Sequence, residues 1–165
     1  MRPLRVVTNA GPLIYLAILG RFDLLRGLFG GIYLPRAVYH EVVIQGIGQP
    51  GADETREGVS DGSLRLVDVQ NRIAVDALLG ELDLGEAETI VLARELNLGW
   101  VLLDDGAARA RARLMGLGVT GTIGVLLLAR RAGIEIDLQH DLGLLIAHNF
   151  RLARDLYDML TTGSR

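Results

Sequence analysis

Residues 83–105, DLGEAETIVLARELNLGWVLLDD, join a helix signature to a buried-strand signature, with carboxylates at both ends. Asp83-x-x-Glu86 reads as a helix start, Ala87, Ile90, Val91 and Leu96 recur on one side, and Leu98-Gly99 reads as the stop. The run of residues 100–103 that follows has no polar alternation, which fits a strand covered on both faces, the usual condition of a parallel sheet. Such sheets carry their chemistry at the carboxyl ends of the strands. Asp104 and Asp105 stand at such an end.

The 165 residues make one domain with one substantial core, and 50% apolar against 22% charged residues excludes a disordered tail. No apolar run approaches the roughly 20 residues of a membrane-spanning helix. Arg2 and Arg5 ahead of GPLIYLAILG imitate a signal peptide, but Asn9 and Pro12 interrupt the pattern and no A-x-A site follows, so the segment reads as mature structure. Cysteine is absent, which excludes disulfides and thiolate metal sites, and a cytoplasmic location is the default expectation. A net charge of −3 does not announce a nucleic-acid binder. All 17 basic residues are arginine, however, and Arg109, Arg111, Arg113, Arg130, Arg131, Arg151 and Arg154 gather in the C-terminal half. Arginine forks suit phosphate, although genomic base composition would give the same bias.

Along the chain, Val6-Val7 predicts a short strand ending at Thr8 and Asn9, and Gly11-Pro12 turns into a helix with Leu13, Leu16 and Ala17 inward, broken at Gly20. Residues 22–28 predict a second short helix and residues 32–34 a second strand. Pro35 suits the first turn of a helix carrying Val38, Glu41 and Val42. Alternation of strand and helix is the pattern of right-handed crossover units. Residues 45–62 read as a surface excursion with a short helix at 52–57. Residues 64–69 read as a strand and 73–79 as a helix. After Asp105 comes a helix on which Arg109 and Arg113 share a face, then a strand at 117–120 and an apolar helix from Thr122 to the stop at Gly133. Amphipathic segments at 138–147 and 150–160 make residues 138–165 a helical C-terminal cap.

Four places put an acidic or amide side chain just past a strand or in an early helical turn: Asn9, Glu41, Glu86, and Asp104 with Asp105. In a parallel sheet these places converge on one rim. Hard divalent ions are held by several carboxylates together, and metal-assisted phosphodiester hydrolysis uses such a set. Each residue also has an ordinary reading. Glu86 closes a capping box with Asp83, Asn9 and Asp104-Asp105-Gly106 are common turn residues, and Glu41 is an edge carboxylate in a helix. Glu88, rotated about 200° from Glu86 on a helix, reads as a solvated residue.

Taken in order, Asn9-Ala10-Gly11-Pro12-Leu13-Ile14, PRAVYHEV with Glu41, GEAETIVLA with Glu86, VLLDD with Asp104 and Asp105, and VTGTIGVLLLARRAGI resemble the motifs of PIN-domain proteins, over most of residues 5–134. Within that superfamily the chain is similar to a branch related to the toxin ribonucleases of toxin–antitoxin pairs. The resemblance implies a three-layer α/β/α sandwich with a central parallel sheet and a Mg²⁺- or Mn²⁺-dependent ribonuclease. Many relatives dimerise and are blocked by a small antitoxin protein. Carried over by position, Glu41, Glu86 and Asp105 would be metal-site carboxylates with Asp104 beside them, and Thr122 would support the site through its hydroxyl. One position departs from the family: Asn9 stands where most active relatives have aspartate. The amide keeps an oxygen for a hard cation but removes a full charge.

An endoribonuclease whose RNA backbone is held by Arg109 and Arg113 is therefore the leading expectation. Its alternative is a catalytically weakened or inactive module that binds RNA or a protein partner through the same rim. A phosphoryl-accepting receiver-like domain would need a lysine, and the chain has none. Neither glycine-rich nucleotide-binding motif is present. His140 and His148 share spacing on a helix but read as surface residues, and Trp100 and Tyr157 as core or interface.

Overall fold

The computed structural model describes residues 3–162. The chain runs through Arg5–Thr8 (β1), Ala10–Ile18 (α1), Asp23–Leu28 (α2), Gly31–Pro35 (β2) and Arg36–Tyr39 (α3), which continues into a π-helical segment, His40–Gln45. Ala52–Asp61 (α4), Arg65–Val67 (β3), Arg72–Leu78 (α5), Leu84–Glu95 (α6) and Trp100–Leu102 (β4) follow. Gly106–Leu114 (α7), Gly118–Thr120 (β5), Thr122–Arg131 (α8), Leu138–Ala147 (α9) and Arg154–Thr162 (α10) complete the order. The strands form one all-parallel sheet, β3-β2-β1-β4-β5, so β1 and β4 are central and their carboxyl ends are neighbours. The predicted α/β sandwich with a central parallel sheet is the observed architecture.

Alternating side chains of the central strands feed two cores. Val6 and Leu102 pack with Leu13 and Leu16 of α1, Leu126 of α8, and Leu142 and Leu145 of α9. Val7, Val101 and Leu103 pack with Val75 of α5, Ile90 and Val91 of α6, and Ala108 of α7. Burial on both faces is why residues 101–103 carry no polar alternation. Trp100, at the start of β4, is the exception, with 37% of its surface exposed.

Several boundaries differ from the sequence reading. α6 ends at Glu95, because Asn97 adopts a left-handed conformation (φ 55°) and stops the helix before Gly99 is reached. Pro35 caps α3 from the last residue of β2 instead of entering its first turn. The excursion at 45–62 holds a full ten-residue helix, α4, whose Ala52, Thr55 and Gly58 are buried. In the C-terminal cap, α9 is anchored by Leu138, Leu142 and Leu145, and by Asp141, which accepts a hydrogen bond from Arg21 at 2.6 Å. α10 starts at Arg154, four residues later than its amphipathic pattern, and has no fully buried residue. Residues 163–165 of the expected cap lie outside the described residues. Among the described residues, no helix is long and apolar enough to cross a membrane.

Candidate functional site

The carboxyl ends of β1 and β4 and the N-termini of α1, α6, α7 and α8 meet at one rim of the sheet. Asn9 ends β1 and caps α1 with its backbone, while its side chain makes no cap hydrogen bond. Its Oδ1 lies against Gly85, where an added Cβ would sit 3.2 Å from Asn9 Oδ1 and 3.6 Å from Asp83 Oδ1. β1 thus delivers Asn9 directly to the start of α6.

That start is a complete capping box. Asp83 Oδ1 accepts from the Glu86 N–H at 2.8 Å, and Glu86 Oε1 accepts from the Asp83 N–H at 3.0 Å. Glu86 is nevertheless more than a cap. Burial, opposed by its hydrogen bond to the Asp83 backbone and reinforced by the like charges of Asp83 and Asp105, pushes its carboxyl up to about 7. Glu41 stands in the π-helical segment, a distortion of the helix often found at functional sites. The residue is exposed, yet partial burial of its carboxyl and then the charge of Asp83 raise its pKa. Asp83, exposed and overlooked as a site residue because it doubles as the helix cap, is therefore the charge that links Glu41 to Glu86. Its only sequence signal was its position opposite Glu86 in the capping box.

Asp105 is exposed and caps α7, its Oδ2 accepting from the Ala108 N–H at 3.2 Å. Asp104 turns the other way. Its Oδ1 accepts from the Thr122 N–H and its Oδ2 from the Thr122 hydroxyl, both at 2.7 Å, so it caps α8 from just past the end of β4. Burial raises its pKa, and the Thr122 bonds and Arg109 oppose the rise. Room for this carboxyl comes from two glycines. A Cβ on Gly11 would approach Asp104 Oδ2 to 2.9 Å, and one on Gly121 would approach Oδ1 to 2.5 Å and the Leu103 carbonyl to 3.0 Å. The glycine in the Asn9-Ala10-Gly11-Pro12 motif is there to admit Asp104.

Glu88 corrects the sequence reading. It is 4% exposed, not solvated: its Oε1 accepts from the Ala37 N–H at 3.0 Å and its Oε2 from Arg72 at 2.7 Å. It ties α6 to α3 and α5, and both of its oxygens are taken by those contacts. Arg109 and Arg113 do share a side of α7, close enough for Arg113 to depress the Arg109 pKa after burial has done so. Arg109 is half-buried and donates to the Leu103 carbonyl at 2.8 Å, whereas Arg113 is exposed. His140 and His148 are both exposed, each held by a local contact on α9.

Among the described residues, no ion pair joins an arginine or histidine to Glu41, Asp83, Glu86, Asp104 or Asp105. The charges of Asp83, Glu86, Asp104 and Asp105 are met instead by helix N-termini, whose partial positive charge favours carboxylates. Both oxygens of Glu41 and one each of Asp83, Glu86 and Asp105, with Asn9 Oδ1, have no hydrogen bond among the described residues. Hard oxygens and surplus negative charge fit a divalent ion in chemistry. In arrangement the set is open: among the described residues, no three acidic, histidine or cysteine side chains are gathered closely enough to hold a metal ion.

No curated protein matches the chain. The crystal structure of PAE2754 from Pyrobaculum aerophilum is similar, with a TM-score of 0.53 at 14% identity, over 79% of this chain and 90% of that one. At that identity the likeness shows the fold alone. The family model described as PIN domain matches residues 5–162, which takes in every strand and every rim residue. The chain belongs to the PIN domain family.

Proposed function

We propose that this protein is a metal-dependent endoribonuclease that hydrolyses RNA phosphodiester bonds at the carboxylate rim. The observation that carries the proposal is the unpaired negative charge around Glu86. Its carboxyl is pushed to about 7 between Asp83 and Asp105, with no arginine or histidine paired to any of them among the described residues. Such a site is short of a cation.

Glu41, Glu86 and Asp105 would hold the ion, with Asp104 beside them and Asn9 Oδ1 as a neutral ligand. A bound Mg²⁺ or Mn²⁺ would polarise the phosphoryl oxygen, lower the pKa of the attacking water and offset charge on the leaving oxygen. Thr122 aims Asp104 through its two hydrogen bonds, Arg109 and Arg113 hold the RNA backbone, and the charge of a bound ion would hold Glu86 as the carboxylate. Exposed Glu41 and Asp105 have to swing inward, since the side chains stand too far apart for a ready-made cage. The reading extends to a cytoplasmic homodimer acting as the toxin of a toxin–antitoxin pair. A small reading frame directly upstream would support that extension.

Asp105→Asn is the test. Asparagine caps helices as well as aspartate does, so α7 stays intact while the ligand charge goes. Cleavage of a labelled single-stranded RNA with Mn²⁺ should be lost in this variant and in wild type with chelator. Undiminished cleavage by the variant would sink the proposal.

The second reading, a silent PIN-like module that binds RNA or a protein partner, draws on Asn9 and on the open arrangement of the carboxylates, several of which already cap helices. Protein that takes up no Mn²⁺ in calorimetry yet binds RNA would favour it.

A further inference from the structure

Next to the carboxylate rim, on the side away from Glu86, a cavity of about 340 Å³ opens between the start of α8 and the segment that leads into α10. Asp104, Arg109 and Arg151 supply its charged lining, and Leu127, Phe150 and Leu156 are among its apolar lining. We infer that this cavity is a subsite for one nucleotide flanking the bond that is cut, with Arg109 and Arg151 on its phosphate and the apolar walls around its base. The inference rests on the RNA-cleavage reading for the identity of the ligand.

Charge points to the phosphate. Arg151 is exposed and has no ion pair among the described residues, and Arg109 spends one N–H on the Leu103 carbonyl and none on a carboxylate hydrogen bond. The one carboxylate in the lining, Asp104, has both oxygens committed to Thr122. Two guanidinium groups therefore face a space whose only acidic member is already satisfied, and planar forks of this kind suit phosphate oxygens. Size and lining point to the base. The volume lies at the small end of ligand sites, too small for a folded RNA element and adequate for a single nucleotide. Bases unstacked from single strands are taken up by aromatic and apolar side chains. Phe150 is held at one wall by an edge-to-face contact with Tyr15, ring centroids 4.9 Å apart at 84°, so its orientation is fixed before a base arrives. Tyr15 is itself close enough to Asp104 for that charge to raise its pKa, after burial, which couples the wall to the rim.

The arrangement also accounts for α10. It has no fully buried residue, yet Tyr157 and Leu160 pack on the core and leave Leu156 facing the cavity. On this account α10 closes one side of a nucleotide subsite as well as covering the fold.

The test uses the full chain in chelator, so that cleavage plays no part, with nucleoside monophosphates of the four RNA bases as probes in calorimetry. At least one should bind saturably. Arg151→Glu should weaken that binding by about tenfold or more, as loss of a charge-assisted fork requires. Ala153→Trp, at an exposed residue of the lining, should block it by filling the space. Arg130→Glu, on the exposed end of α8 outside the cavity, is the control and should bind like wild type. Equal binding by Arg151→Glu and Ala153→Trp would overturn the subsite, as would inorganic phosphate competing as well as the nucleotide, which would leave only an anion site. The two readings fail separately. Nucleotide binding without any RNA cleavage removes the nuclease and keeps the subsite. Cleavage whose flanking-base preference is the same in Arg151→Glu as in wild type removes the subsite and keeps the nuclease.

Discussion

At the scale of single residues, Glu86 and Glu88 show how two carboxylates on one helix come to opposite ends. Glu88 is buried but satisfied, by the Ala37 N–H and by Arg72, and is structural. Glu86 is buried beside like charge, so its ionisation costs folding free energy. The sign follows from its raised pKa. Below its ordinary value of 4.5 the group is protonated in both states; between there and about 7 the folded chain holds the proton more tightly, so stability falls as pH rises through that window. Glu86→Gln keeps the capping box, because glutamine serves there too, and removes the charge. Metal-free Glu86→Gln should match wild type near pH 4 and exceed it at pH 8 by about 1–2 kcal/mol after allowing for solvent screening at the open rim, or a few degrees in Tm. Thermal melts across pH would show this, and identical pH profiles would contradict it. Asn9→Asp runs the other way. A further charge against Gly85 and Asp83 should lower metal-free stability at pH 8 by about 1 kcal/mol and strengthen Mn²⁺ binding by about tenfold. Calorimetry showing weaker or unchanged Mn²⁺ uptake would refute it.

At the scale of elements, helix N-termini organise the rim: Asp83 caps α6, Asp105 caps α7, and Asp104 caps α8 from the end of β4. The capping signature of residues 83–86 and the unbroken apolar run after Gly99 were legible in the sequence, and so was the convergence they imply in a parallel sheet. The fate of Glu88 was not. A helical-wheel argument assumes a solvent face, but residues 85–93 of α6 are buried all round, between the sheet and its neighbouring helices. Arg72 and the N-terminus of α3 are Glu88's partners, and neither is near in sequence. Asp104's partner was equally hidden, since Thr122 lies 18 residues on and the space for the pair depends on Gly11 and Gly121. Glu88→Ala should cost about 2 kcal/mol in urea denaturation, because the Ala37 N–H is stranded and Arg72 loses its partner. It should leave Mn²⁺ binding unchanged. A loss of Mn²⁺ binding there would mean that α6 delivers the wrong carboxylate to the ion.

At the scale of the whole molecule, a chain of net charge −3 is asked to bind a polyanion, and it separates its charges to do so. Carboxylates gather around the start of α6, while Arg109 and Arg151 line the cavity beyond Asp104 and Arg113 lies near Arg109 on α7. Three phosphate contacts on single-stranded RNA predict that log K falls with log salt at a slope of about −2. A slope near zero would remove the arginines from the RNA path. The other half of this division is the divalent ion proposed for the acidic side. Titrating Mn²⁺ into metal-free protein at pH 7.5 and following heat tests it most directly. Wild type should bind saturably in the millimolar range or below, and Asp105→Asn and Glu86→Gln should each lose that binding while Glu88→Ala keeps it. Wild type that takes up no Mn²⁺ at millimolar concentration, or variants that bind it just as well, would contradict the account.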